Sequence, residues 1–155
     1  MRIAIGADHR GLELKQSIIK LITGAGHSYK DCGSYTTEPV DYPDIAKEVA
    51  GAVARGDFER GILICNNGIG MSIAANKMKG VRAALCHDEL SAQISRDHND
   101  SNVICLSGDQ MQEISLRKIV EVWLTTDFSG GRHQRRVNKI AAIEQGLDPR
   151  TLTNG

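Results

Sequence analysis

ILICNNGIGMSIAANK, residues 62–77, is the stretch whose reading decides the fold. An unbroken apolar run stops at Cys65, two asparagines and two glycines follow within five residues, and a small-residue segment that reads as a helix begins at once. Continuous apolar runs are how strands buried on both faces appear, and strand, glycine loop and helix in succession is the grammar of a parallel α/β sheet.

The same alternation runs outward in both directions. Strands are expected at residues 2–6, 28–32, 61–65, 81–86 and 102–107, with helices near 10–24, 43–55, 70–79, 88–97, 111–126 and 131–146. In the helix at 111–126, Ile119, Val120 and Trp123 supply an apolar face. The expected fold class is α/β: a three-layer α/β/α Rossmann-like domain with a five-stranded parallel sheet. One domain is expected over residues 1–146, a surface loop over 33–43 and a loose polar tail over 147–155.

Composition narrows the function. Of 155 residues, 41% are hydrophobic, enough for a core, and Lys plus Arg equal Asp plus Glu at 19 each. Zero net charge gives no overall pull toward nucleic acid or an anionic membrane, so any anion site must be local. No secretory signal and no membrane-length apolar run are read. The cysteines (Cys32, Cys65, Cys86 and Cys105) form no CxxC pair. A reduced, cytoplasmic protein with free thiols is expected.

In such a sheet, ligands bind beyond the carboxyl ends of the strands. Asp8, His9 and Arg10 follow the first strand. They suit a polyol and an anion, or equally a helix start with Asp8 as N-cap. Cys65 is by default a packing residue. Thiols beside N–H dipoles at a helix start, however, give up their proton more readily. Gly68 and Gly70 could offer backbone N–H groups to an oxyanion, although NNGIG matches neither dinucleotide nor P-loop consensus. Cys32, Cys86 and Cys105 lack such a loop and are taken as packing residues. His98, beside Asn99 in RDHNDSN, is an acid–base candidate or a plain loop histidine. In GGRHQRR (130–136), Arg132 and Arg136 are four apart and share a helix face. They could clamp a phosphate or lie solvated. Cys86-His87-Asp88-Glu89 crowds metal-ligand types together, but consecutive residues cannot all face one ion, so no metal is expected.

Taken in order, GxDHRGxxLK, DYPD, ICxxGIGMSIAANK, GVRAAL, SRxHNDSNV and GGRHxxRV closely resemble the ribose-5-phosphate isomerase B family, which includes galactose- and allose-6-phosphate isomerases. The resemblance runs from residue 2 to about 145. It implies a cofactor-free aldose–ketose isomerase working through an enediolate, with a phosphorylated sugar as substrate. It implies Cys65 as base, His98 as ring opener and Asp8 as proton carrier on the sugar oxygens. A second branch of the family uses glutamate at the position of Met71, so this chain resembles the cysteine branch. The loop 66–70 resembles the enediolate cradle, bringing in Asn66, Asn67, Gly68 and Gly70. His9, Arg132 and Arg136 match phosphate ligands, and Tyr42 and Asn99 match sugar contacts. The family forms homodimers or dimers of dimers with shared sites, so His98 and Asn99 would enter from the partner. No nucleic acid, membrane, metal or cofactor is implied.

Two departures from the family pattern matter. Asn66-Asn67 stands where Gly-Thr/Ser is usual, which would strain Asn66 if its φ were positive and removes a hydroxyl. Asp109 stands where arginine is common. Either Asp109 points away from the phosphate or the anionic end is held differently. Ribose 5-phosphate and ribulose 5-phosphate are the expected pair. The alternatives are another aldose phosphate, a tetrose or a hexose, or a non-catalytic sugar-phosphate binder.

Overall fold

The computed structural model describes residues 1–109 and 112–152. Its elements run β1 (Arg2–Ala7), α1 (Leu12–Gly24), β2 (Ser28–Asp31), α2 (Tyr42–Ala54), β3 (Arg60–Cys65), α3 (Ile69–Ala75), β4 (Ala83–Leu85), α4 (Glu89–Asp97), β5 (Val103–Ser107), α5 (Glu113–Thr125) and α6 (Arg132–Glu144). The five strands pair in parallel in the order β2-β1-β3-β5-β4. The α/β class, the layers and the strand count are as expected.

Period-two alternation sorts the core. Ile3, Ile5, Ile62, Ile64, Ile104 and Leu106 pack with α1 and α5 through Ile18, Ile22, Ile119 and Trp123. Ala4, Leu63, Cys65, Val103 and Cys105 pack with α2 and α3 through Val49, Ala50, Met71 and Ala75. Each large apolar side chain so buried contributes about 1.5–3 kcal/mol. Several interior polar groups are partnered: Trp123 Nε1 donates to Ser101 Oγ at 2.8 Å, and Ser101 Oγ meets Ser95 Oγ at 2.9 Å. Lys15 is fully buried and donates to Asp31 Oδ1 at 2.6 Å and to the Ser34 carbonyl at 2.5 Å.

Several boundaries move, for visible reasons. α1 starts at Leu12 rather than residue 10, because Asp8 Oδ1 accepts from the amides of Arg10 (3.0 Å) and Gly11 (3.2 Å) in a turn of its own. Asp8 is therefore not the helix N-cap. α3 stops at Ala75, short of residue 79, where the Asn76 side chain bonds back to the Ser72 carbonyl and across to Ala83. The start of the expected helix at residue 111 lies outside the described residues, as do 153–155 of the tail. The rest of that tail is less loose than expected: a short 3-10 turn, Pro149–Thr151, is held by Asp148 and Arg150. No helix among the described residues is long and apolar enough to cross a membrane.

Candidate active site

The chain leaves β1 for β2 on one side and later returns to β3 on the other, so strand order reverses between β1 and β3. A crevice opens at the carboxyl ends of two such strands. Asp8 follows β1 and Cys65 ends β3, placing both at that crevice.

Cys65 is 4% exposed, and its Sγ accepts the Gly68 amide at 3.2 Å. Its main chain is fixed from the β5 side: Gly108 N–H donates to the Cys65 carbonyl at 2.7 Å, while Asp109 N–H (3.2 Å) and Ser107 Oγ (2.7 Å) donate to the Asn66 carbonyl. The left-handed residue of this loop is Gly68, at φ 74°, not Asn66, so the expected strain at Asn66 is absent. The positive φ favours glycine there, and a Cβ would also press on Leu85 Cδ1 at 2.5 Å and on the Leu106 backbone at 3.2 Å. One amide expected in the oxyanion cradle, that of Gly68, is thus engaged by the thiol. Asn67 spends its side-chain oxygen on the Ile69 amide at 3.0 Å, turning the chain into α3, while Asn66 is exposed. Tyr42, at the start of α2, lies over Gly70: a Cβ there would meet the ring at 2.6 Å. His9 Nδ1 accepts from the Val40 amide at 3.3 Å, which leaves Nε2 as the ring's donor. Asp109 does turn to a cation, forming an ion pair with Arg10.

The other candidates lie elsewhere. His98 caps the C-terminus of α4, and Asn99 begins the connection into β5, so both sit at the amino end of the sheet. The strands are parallel, and the length of β5, about 16 Å at 3.3 Å per residue, intervenes between that end and the Cys65 end. The start of α6 joins them there: Ser129 N–H donates to the Asp97 carbonyl at 3.1 Å, bringing in Arg132 and Arg136, both exposed. The connection is clamped by guanidinium groups. Arg96 Nη1 holds Asp100 Oδ1 at 2.7 Å and the Ser101 carbonyl at 2.6 Å, and Arg82 holds the Asn99 and Asp100 carbonyls. Asp100 turns through a φ of 46°. A cavity of about 450 Å³, lined by Asn99, Arg82, Val81, Ile140 and Ile143, flanks β4 at this end and not the Cys65 end.

Sequence reading missed His133. Its ring stacks on that of His98, centroids 4.1 Å apart and planes within 8°. It is 7% exposed, and its Nδ1 is buried with no hydrogen-bond partner among the described residues. Burial, then the nearby His98, Arg132 and Arg136, push its pKa below the usual imidazole value, against a smaller pull from Asp97. Its place beside Arg132 in GGRH was the available signal. Burial pushes the thiols of Cys32, Cys86 and Cys105 up, in keeping with packing roles. Among the described residues no three His, Cys, Asp or Glu side chains could hold a metal ion, and in the crowded 86–89 run Asp88 instead caps α4 by accepting from the Ser91 amide at 2.6 Å.

The sequence pattern of the Ribose/Galactose Isomerase family matches residues 3–140. Ribose-5-phosphate isomerase B of Escherichia coli (strain K12) is 48% identical over 145 residues, 93% of this chain and 97% of that protein. The Clostridium thermocellum ribose-5-phosphate isomerase B structure superposes with a TM-score of 0.93 at 44% identity, covering 94% of this chain and 99% of that one. The Mycoplasma genitalium enzyme, solved with bound ribulose-5-phosphate, superposes at 0.90 with 42% identity, covering 93% and 96%.

Proposed function

This chain belongs to the ribose/galactose isomerase family, and from that premise we propose that it interconverts ribose 5-phosphate and ribulose 5-phosphate in a site built from two copies of the chain. The observation that carries the reading is the buried Cys65 thiol, held by the Gly68 amide in the strand-order crevice beside Asp8, in a chain 48% identical to a ribose-5-phosphate isomerase B.

The chemistry follows from the groups each edge can offer. His98 of a second copy moves the proton between the ring oxygen and the C1 hydroxyl, opening the sugar. Cys65, as thiolate, takes the C2 proton. The resulting enediolate lies against the N–H groups of the loop 66–70 other than those of Gly68 and Ile69, which hold the Cys65 sulfur and the Asn67 side chain, and the thiol returns the proton to C1. Asp8 uses one carboxylate oxygen on the Arg10 and Gly11 amides and shuttles the proton between O1 and O2 with the other. His9 Nε2, together with Arg132 and Arg136 of the second copy, binds the phosphate. Tyr42 and Asn99 contact the sugar. No step needs a metal or a redox cofactor, because electrons only shift from the C2–H bond to C1.

The separation of the two groups supports a shared site. Cys65 and His98 lie at opposite ends of a parallel sheet. One two-fold axis that lays the amino end of one copy on the carboxyl end of the other completes two identical sites at once.

The Arg10–Asp109 pair favours a second reading, the same chemistry on a tetrose or hexose phosphate, because it alters the anion end of the pocket. Turnover of a panel of aldose phosphates followed by NMR in deuterated water tests both. The reading expects deuterium at C1 of the ketose and the highest kcat/KM for the five-carbon substrate. A preferred four- or six-carbon substrate selects the second reading. Binding without deuterium uptake by any of them sinks the isomerase.

A further inference from the structure

Building on the sugar-phosphate reading above, we propose that Arg10 is an anion ligand of the active site and that Asp109 is its resident stand-in, holding the guanidinium until the substrate phosphate displaces it. Strand order carries the argument. Arg10 follows β1, Asp109 follows β5, and β3 runs between those two strands, so their ion pair arches over the end of β3 where Cys65 and Asn66 lie. Both arms of the arch rise from fixed backbone. The Arg10 amide is bonded to Asp8 Oδ1 at 3.0 Å, and the Asp109 amide to the Asn66 carbonyl at 3.2 Å.

The arch adds little to the fold. Its side chains are 54% and 31% exposed, and pairs in that setting contribute about 0–1 kcal/mol. The Lys15–Asp31 pair nearby, with its lysine fully buried, is the structural one. What Arg10 does offer is a planar donor fork beside His9, the phosphate-facing imidazole of this edge, and such a fork accepts a carboxylate and a phosphate in the same geometry. A dianionic phosphate monoester outbids one carboxylate electrostatically. Until it does, Asp109 neutralises the Arg10 guanidinium, so weaker anions meet a paired arginine.

Two substitutions separate this from simpler roles, read by competitive inhibition with inorganic phosphate and by the KM of the best aldose phosphate. Asp109→Asn frees Arg10 and tightens phosphate about three- to tenfold; Arg10→Gln loosens it by a similar factor. In the Arg10→Gln background the gain from Asp109→Asn shrinks below about twofold, because Asp109 acts only through Arg10. Shifts in the same direction for the two single variants mean a structural strap and overturn the proposal. A gain that persists without Arg10 means that Asp109 merely repels phosphate, and this also overturns it. Both results leave the isomerase reading standing. A wild-type protein that neither turns over an aldose phosphate nor binds inorganic phosphate overturns that reading, and this inference with it.

Discussion

The two ends of the sheet are built from different materials. At the carboxyl end the chain is pinned by its own amides: Gly68 on the Cys65 sulfur, Gly108 on the Cys65 carbonyl, Arg10 and Gly11 on Asp8. At the amino end it is clamped by guanidinium groups, with Arg96 and Arg82 gripping Asp100 and the carbonyls around it. Amides are short and rigid, and they suit groups that must meet a carbon atom within a fraction of an ångström. The amino end presents side chains that project: exposed Arg132 and Arg136, and a part-exposed His98 resting on His133. On the proposed reading, the first end carries the base and the second carries the groups that reach into a neighbouring copy.

The largest effect that breaks or upholds this division is removal of the proposed base. Cys65→Ala should lower kcat by about 10³-fold, in the range of a lost general base, with aldose phosphate binding retained. Full turnover in that variant would place the base elsewhere. The sharper form of the test mixes ends. Cys65→Ala and His98→Gln, each inactive alone, should recover about a quarter of wild-type activity after co-refolding, because half the dimers are mixed and each holds one intact site. No recovery, with mixed dimers demonstrated by mass spectrometry, would mean that both residues serve one chain.

Next in size is a stability effect confined to the carboxyl end. Lys15→Met leaves the Asp31 carboxylate and the Ser34 carbonyl without their buried partner. It should cost about 3 kcal/mol, or about 6–12 °C in Tm for a chain of this size. A loss under 1 kcal/mol in urea unfolding would show that water replaces the ammonium. Because this pair ties α1 to the loop after β2, the same variant tests whether the rigidity of the carboxyl end depends on it: KM for the sugar phosphate should rise below the melting range.

The division explains what could be read from the chain. Strands were legible because parallel strands buried on both faces are continuous apolar runs, as GILIC and NVICLS are. Cys65, Asp8 and the glycine loop were legible because each lies at a strand end, and one topological rule points there. The amino end was not, because the contacts that build it join distant segments. His98 and His133 come from the end of α4 and from α6, and at the carboxyl end the Arg10–Asp109 pair, 99 residues apart, was hidden in the same way. No local period marks such pairs. The resemblance named His98, Arg132 and Arg136, but it did not say that His133 underlies His98 or that Asp109 would turn to Arg10. The strain expected at Asn66 is absent because the loop turns left-handed at Gly68 instead, and sequence order alone does not say which residue of the loop makes that turn.

The smallest effect distinguishes the two ends by pH. His133 is buried against His98, and burial followed by the neighbouring His98, Arg132 and Arg136 lowers its pKa below the ordinary value near 6.5, with Asp97 opposing. The unfolded chain therefore binds more protons than the folded one between the lowered pKa and about 6.5, and stability rises with pH across that window. The contribution is complete above 6.5 and is lost as pH falls through the folded value. Urea midpoints measured between pH 5 and pH 7.5 at fixed protein concentration should therefore fall on acidification more steeply for the wild type than for His133→Phe, which keeps an aromatic ring on His98 but cannot charge. Amide exchange should place the early acid opening at residues 97–101 and the start of α6, while the Cys65 loop, fixed by backbone hydrogen bonds, stays protected. Parallel acid curves for the two proteins, or opening that begins at the Cys65 loop, would mean that the imidazole stack is not the weak point of the amino end.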